Sequence, residues 1–295
     1  MTSEENQSLT IPAYAKINLS LDVLRRRKDG YHDLHMVMQQ VALCDHIDIR
    51  LSSVPGIHLK TDAAFLPRKR GNIAWRAAEL LGTKSGINLA ETGVVIEIKK
   101  RIPIAAGLAG GSADAAAVLK GLNQLWRLGM SIEELQMLGL QLGADVPYCL
   151  MGGTALAEGI GDRLTPLVLA KNFWVVLVKP AISISTREVF QRLNLGCIHQ
   201  RPDNMALISA MKNADVRGMA EAMANVLETV TIPLVPEIDE IKHKMLEFNA
   251  TASLMSGSGP TVFGLFKDRV KAQAAGSKLS LIYQEVQVTH TLPVS

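Results

Sequence analysis

The feature that most constrains this chain is the run Pro103-Ile104-Ala105-Ala106-Gly107-Leu108-Ala109-Gly110-Gly111-Ser112-Ala113-Asp114. A strand-like stretch, Val94 to Ile98, leads into it. An Ala- and Leu-rich helical pattern, from about Ser112 to Leu128, leaves it. Small residues let backbone approach a ligand closely. The first N–H groups of the following helix lack intrahelical partners, and the positive end of its dipole faces the same place. This is the geometry of a phosphate cradle. No Lys-Ser/Thr follows the glycines, so it is not a Walker A loop, and the glycine spacing is not that of a dinucleotide fingerprint. Alone, the segment can also be read as a tight strand-to-helix turn that binds nothing.

The chain has 295 residues, which suits two ordinary domains, and its 48% hydrophobic and 20% charged composition allows a sizeable core. The division is expected near Gly153, with one domain over 1–155 and a second over 156–295. A net charge of +3 is small for this length and argues against nucleic acid, while a modest positive excess suits an anionic small molecule. The basic runs Arg25-Arg26-Arg27-Lys28 and Arg68-Lys69-Arg70 read as solvated loops. Cys44, Cys149 and Cys197 have no motif spacing and suit a reducing compartment. Met1 to Ser8 is polar and acidic, unlike a signal peptide, and no apolar run is long enough to span a bilayer. The expectation is a cytoplasmic protein, a monomer or weak homodimer, with neither nucleic acid nor membrane as partner.

Ala15 to Leu21 alternates apolar and polar residues, which predicts a half-buried strand with Lys16 and Asn18 on one face. That face is either wet or covered by a ligand. Asp29-Gly30 predicts a turn carrying Tyr31-His32, an exposed hairpin end unless something stacks there. His32 and His35 fall in no metal-ligand pattern. Asn72 caps a helix over Ile73 to Leu81 that Gly82 ends, and Gly129 ends the helix after the cradle. Ser131-Ile132-Glu133-Glu134 is a capping box. The helix it opens stops at Gly143-Ala144-Asp145-Val146-Pro147, where Pro147 biases Val146 away from helix. Asp145 is then either a helix-end hydrogen-bonding group or a placed functional carboxylate. The second half carries a buried strand at Phe173 to Lys179, a helix containing Phe190, and helical patterns at Met205 to Met211, Val216 to Leu227 and Pro236 to Phe248. A second small-residue loop, Ser256-Gly257-Ser258-Gly259-Pro260, lies between two strand-like stretches, before a last helix and strand.

The early strand with Lys16 and Asn18, the Pro-x-x-x-Gly-Leu-Ala-Gly-Gly-Ser loop, and the late Ser-Gly-Ser-Gly-Pro-Thr-Val-Phe loop occur in a set order and spacing. Together they resemble the GHMP kinases over nearly the whole chain. Ala15-Lys16-Ile17-Asn18-Leu19, Asp29-Gly30-Tyr31-His32-Asp33-Leu34 and Leu142-Gly143-Ala144-Asp145-Val146-Pro147 are most similar to the branch acting on a cytidine diphosphate-linked polyol in the non-mevalonate isoprenoid pathway. The resemblance implies an α+β, two-domain fold. The N-terminal domain would be like domain 2 of ribosomal protein S five and the C-terminal domain ferredoxin-like, with ATP and substrate meeting in a cleft. It implies that Pro103 and Ala106, Gly107, Leu108, Ala109, Gly110, Gly111 and Ser112 hold ATP phosphates, and that Asn72 and Lys100 lie near adenine and ribose. Tyr31, His32 and Phe190 would take the cytosine. Asn18, Thr186, Gly257 and Ser258 would line the substrate side, and Lys16 and Asp145 would flank the phosphorylated hydroxyl. ATP with Mg²⁺ is the implied cofactor, but no acidic residue maps onto the magnesium ligand of mevalonate kinases, so no metal ligand is assigned. The loop departs from the family in carrying Ala105 and Ala106 where glycines are common, and Asp114 stands where other members vary. A homoserine- or mevalonate-type kinase, or a non-catalytic nucleotide-binding protein, are the alternatives.

Overall fold

The computed structural model describes residues 8–293, so the polar opening residues fall outside the described residues apart from Ser8. In chain order the elements are β1 (Ser8–Arg26), β2 (His32–Ser52), β3 (Gly56–Thr61), α1 (Ile73–Lys84), β4 (Gly93–Lys99), α2 (Gly110–Leu125), α3 (Ile132–Leu140), α4 (Val146–Met151), β5 (Thr154–Gly159), β6 (Arg163–Leu167) and β7 (Trp174–Lys179). There follow α5 (Thr186–Arg192), α6 (Asn204–Lys212), α7 (Val216–Ala222), α8 (Glu228–Leu234), α9 (Glu237–Glu247), β8 (Ala252–Met255), β9 (Val262–Phe266), α10 (Arg269–Ser280) and β10 (Glu285–His290). They fall into two compact units made of interleaved segments. The first contains the chain up to Ala15, Cys44–Ile102 and Ala109–Met151; the second contains Lys16–Leu43, Pro103–Leu108 and the chain from Gly152 onward.

In the first unit β4 is the central strand. It runs antiparallel to the later half of β2, placing Ile98 opposite Ile47 and Ile96 opposite Ile49, and parallel to β3. Its inward residues Val94, Ile96 and Ile98 are fully buried. The strand begins at Gly93 because nothing larger fits: a Cβ there would lie 1.7 Å from the Val54 carbonyl oxygen. α2 is rich in Ala and buries Ala113, Ala115, Ala116 and Ala117. At Gly121 a Cβ would come within 2.5 Å of Ile49 Cδ1, so small residues set how closely the helix approaches the strands.

In the second unit the first half of β2 pairs with β5, and β5 with β6, all antiparallel. A second, four-stranded sheet has the order β10-β7-β9-β8. Counted along the chain that is fourth, first, third, second, the ferredoxin-like arrangement, with α5 to α9 inserted between its first two strands. β7 and β9 are near-continuous buried runs, and α9 and α10 pack on this sheet. Ten strands and ten α-helices occur among the described residues, and no helix among them is long and apolar enough to cross a membrane.

Several boundaries differ from those expected. α1 continues through Gly82 to Lys84; Gly82 is buried inside it, and a Cβ there would lie 3.0 Å from Leu89 Cδ1. α2 stops at Leu125, and Arg127, at φ 52°, makes the left-handed turn expected of Gly129. The Leu128 N–H bonds the Asn123 carbonyl at 3.0 Å and the Arg127 N–H the Gln124 carbonyl at 3.1 Å, a Schellman-type end. Val146 is helical after all: it opens α4 with Pro147 next, in the first turn, where a missing N–H costs nothing. The helix expected over Val216 to Leu227 breaks after Ala222 because the backbone there is recruited elsewhere. The Leu21 N–H bonds the Ala224 carbonyl at 2.9 Å and the Val226 N–H bonds the Leu21 carbonyl at 3.0 Å. Finally, β1 is not half-buried: Lys16, Asn18 and Ser20 are as inaccessible as Ile17 and Leu19. The capping box at Ser131 and Glu134 and the Asn72 cap form as expected.

The Gly93→Ala variant is expected to lose about 1–3 kcal/mol of stability, because its Cβ meets backbone that cannot rotate away. Urea denaturation monitored by circular dichroism checks this.

Candidate functional site

In the second unit the buried face of β1 meets the first part of the small-residue loop. Lys16 is only 5% exposed and Asn18 1%. The Lys16 ammonium donates to Asn18 Oδ1 at 2.7 Å and to the Gly107 carbonyl at 3.2 Å, while its backbone N–H donates to the Leu108 carbonyl at 3.1 Å. The Gly107 carbonyl also accepts the Ser256 hydroxyl at 3.0 Å. Gly107 sits at φ +72°, and a Cβ on it would lie 2.2 Å from the Ser256 carbonyl oxygen. The loop and the Ser256–Pro260 turn therefore touch through main chain.

That turn is held from behind. Asn225 donates its side-chain amide to the carbonyls of Met255 (2.8 Å) and Gly257 (2.7 Å). Thr231 donates to the Ser258 carbonyl at 3.3 Å, and Thr186 and Ser258 share a hydroxyl–hydroxyl bond of 2.8 Å. A Cβ on Gly257 would come 3.5 Å from the Lys16 ammonium. Lys16, Asn18, Gly107, Leu108, Gly257, Ser258 and Thr186 are thus brought together as one constellation. Ser256, Asn225 and Thr231 also belong to it; of these only Ser256 carries a signal in the sequence, as part of the small-residue loop.

Elsewhere in this unit the His32 and Phe190 rings lie with centroids 5.1 Å apart, tilted by 34°. Tyr31, next along the hairpin, is 60% exposed. The hairpin closes through the Arg27 N–H to the Tyr31 carbonyl (2.8 Å), with Gly30 at φ +88°. Burial, reinforced by the positive charge of Arg26, lowers the His32 pKa, so its ring is neutral at pH 7 with one donor and one acceptor nitrogen.

In the first unit α2 opens without a side-chain cap after Ala109, itself at φ 57°. The N–H groups of Gly110, Gly111 and Ser112 precede the first intrahelical bond, from Ala113 N–H to the Ala109 carbonyl at 2.9 Å. The Ser112 hydroxyl oxygen lies 3.9 Å from where a Gly143 Cβ would stand, which puts the start of α2 beside the turn that carries Asp145. Asp145 is half-buried immediately before α4, and its carbonyl accepts the Cys149 N–H at 3.0 Å. Asn72 uses its side-chain oxygen to cap α1 through Ala74 N–H (2.9 Å) and its amide to hold the Pro67 carbonyl (3.0 Å). Lys100 is bridged to Asp45 at 2.5 Å and to Asp114 at 2.8 Å, a buried cluster that the sequence did not disclose. Within the loop Ala106 and Leu108 are buried and Pro103 is half-buried. Among the described residues there is no group of three or more His, Cys, Asp or Glu placed to hold a metal ion.

A strand, a left-handed small-residue loop and an uncapped helix start, with a buried lysine on the loop carbonyl, are the parts of a phosphate-handling enzyme. Residues 72–153 match the GHMP kinases N terminal domain, and residues 207–284 match the GHMP kinases C terminal domain. The chain belongs to the GHMP kinases, ATP-dependent small-molecule kinases, and has their two-domain α+β fold. It is similar to proteins named 4-diphosphocytidyl-2-C-methyl-D-erythritol kinase in Alkaliphilus metalliredigens (49% identical, covering 97% of both chains) and Alkaliphilus oremlandii (50%, 97% of both). A crystal structure of 4-(cytidine 5'-diphospho)-2C-methyl-D-erythritol kinase superposes with a TM-score of 0.81 at 32% identity, covering 96% of this chain and 99% of that one.

The loop geometry gives opposite expectations for two neighbours. Ala105 sits at φ 52°, where a Cβ is strained, so Ala105→Gly should raise stability by about 0.5–1 kcal/mol. Gly107→Ala should lower it by about 2–4 kcal/mol, from the left-handed backbone and the clash with Ser256 together. Thermal melts of the two variants test the pair.

Proposed function

We propose that this protein transfers the γ-phosphoryl group of ATP to the 2-hydroxyl of 4-diphosphocytidyl-2-C-methyl-D-erythritol, giving the 2-phosphate and ADP in the non-mevalonate isoprenoid pathway. The observation that carries this reading is the Lys16 ammonium on the Gly107 carbonyl, together with relatives so named at about half identity over nearly the whole chain. The His32–Phe190 ring pair supplies what a cytosine needs: an aromatic surface to stack on and a neutral imidazole to read its polar edge. A cytoplasmic monomer or weak homodimer is in keeping with this reading.

Phosphoryl transfer demands alignment and charge stabilisation more than covalent help. In this reading the N–H groups from Ala106 to Ser112 hold the ATP phosphates, and Pro103 fixes the approach to them. Asn72 and Lys100 border the adenine and ribose. Mg²⁺ carried in with ATP would neutralise phosphate charge, and a magnesium bound this way keeps several waters and takes few protein ligands. Lys16 places a point charge beside the transferring group. Asn18 keeps that ammonium aimed, and Thr186, Gly257 and Ser258 line the substrate's phosphates. Asp145 holds the hydroxyl in line and takes its proton as the new O–P bond forms and the bond to the β-phosphate oxygen breaks.

Phosphorus NMR of the protein with MgATP and the cytidine substrate should show a phosphomonoester signal growing with ADP. ATP left intact there but consumed with mevalonate or homoserine would reassign the substrate. Asp145→Asn should cost about 10²–10⁴-fold in kcat with ATP binding retained, the usual range for a proton-accepting group. His32→Ala should raise KM for the cytidine substrate by at least about tenfold while leaving KM for ATP nearly unchanged, since a lost base contact weakens only the ligand that makes it.

A further inference from the structure

Around Lys100, one of the two residues proposed to border the nucleotide, the first unit holds a cluster that ties together the two ends of the small-residue loop. The Lys100 ammonium lies between Asp45 Oδ2 (2.5 Å) and Asp114 Oδ2 (2.8 Å), and the three side chains are 9%, 0% and 4% exposed. Asp45 Oδ1 accepts the backbone N–H groups of Arg101 (2.5 Å) and Ile102 (2.8 Å). Lys100 to Ile102 is the chain going into the loop, and Asp114 is on α2, the chain coming out. A Cβ on Gly110 would lie 3.1 Å from Ile102 Cγ2 and 3.4 Å from the Lys100 ammonium, so the neck is packed tight.

We propose that Asp45, Lys100 and Asp114 are positioning residues that clasp the neck of the phosphate loop and hold residues 101–113 in the conformation that receives ATP. This rests on the phosphate-loop reading above. A loop whose ends are free pays its ordering entropy when the ligand binds, whereas a loop already closed at the neck has paid it on folding. The clasp therefore acts on ATP affinity and not on the cytidine substrate.

The charges in the clasp are unequal. With all three groups ionised it would be a buried cluster with one excess negative charge. Asp45 is well satisfied as an anion, accepting from one ammonium and two N–H groups. Asp114 Oδ1 has no hydrogen-bond partner in the structure. Burial, opposed by Lys100 and reinforced by Asp45, the two charged groups that face it, pushes the Asp114 pKa up to about 8. Burial opposes the charge on Lys100, but Asp114 and Asp45 together outweigh it and raise its pKa. Asp114 thus carries a proton at pH 7 and the clasp is neutral. In the unfolded chain the same carboxyl titrates near pH 4. Its proton favours the folded state fully below that value; the advantage declines as pH rises from about 4 to about 8, and above 8 the clasp carries an unpaired negative charge.

The test is steady-state kinetics with each substrate varied separately from pH 7 to 9, alongside thermal melts. In the wild-type protein KM for ATP should rise about tenfold between pH 7 and 9 while KM for the cytidine substrate stays within about twofold. Asp114→Asn, which fixes the neutral form, should abolish that rise. Asp45→Asn, which removes the anion under Lys100, should raise KM for ATP at least about tenfold at pH 7, with the cytidine KM within about twofold. Equal increases in both KM values for folded Asp45→Asn, or an Asp114→Asn profile that still rises like wild type, would overturn the clasp. Should Asp45→Asn fail to fold, the Asp114→Asn profile decides alone. Absence of any ATP turnover by the wild-type protein is a different result: it overturns the kinase reading on which the clasp rests.

Discussion

One carbonyl, that of Gly107, accepts both the Lys16 ammonium and the Ser256 hydroxyl. Nothing but hydrogen fits on the Gly107 α-carbon, because the Ser256 carbonyl occupies the space. That close main-chain contact joins three segments far apart in the chain: the polar face of β1, the small-residue loop and the turn after β8. Asn225 and Thr231 fix the turn, Asn18 fixes the lysine, and the loop lies against both. The lysine thus has one geometry, which a long flexible side chain on an open strand would lack.

The loop is secured at two places by different physics. At Gly107 the constraint is steric, with hydrogen bonds that share an acceptor. At the neck it is electrostatic, a lysine between the Asp45 carboxylate and the carboxyl group of Asp114, with the backbone of Arg101 and Ile102 held by Asp45. A buried ion cluster is a weak source of stability, since desolvation consumes most of the Coulombic gain. Its value lies in fixing geometry, which suits a loop proposed to present its N–H groups in one arrangement. Ala105 and Ala109 hold left-handed backbone without being glycine, and so place strain in the same segment.

Much of the local structure was legible because it is decided within a few residues. The Ser131–Glu134 capping box, the Asn72 cap, the Asp29-Gly30 turn and the loop-to-helix transition at Gly110 all depend on contacts between near neighbours. Element ends differ where packing or side-chain contacts outweigh the local pattern. Gly82 reads as a helix end but serves packing against Leu89, and Gly129 yields its role to Arg127 because Asn123 bonds both the carbonyl and the N–H of Met130. The stretch after Ala222 has helical composition, yet the bonds offered by Leu21 outweigh one more helical turn.

The class of the protein was legible in the sequence through a family resemblance: a small-residue loop between strand and helix, a lysine-bearing strand before it and a second small-residue turn after it are ordered motifs, readable without coordinates. Tertiary structure alone decided what those residues touch. The alternation from Ala15 to Leu21 leaves the Lys16 and Asn18 face either wet or covered by a ligand, whereas both faces are covered by the chain itself and the two side chains are buried against the loop. Asp45, Lys100 and Asp114 look like three unrelated charges until folding brings together positions 55 and 14 residues apart. Periodicity reports which side of an element a residue occupies, and only the packed chain determines what lies on that side.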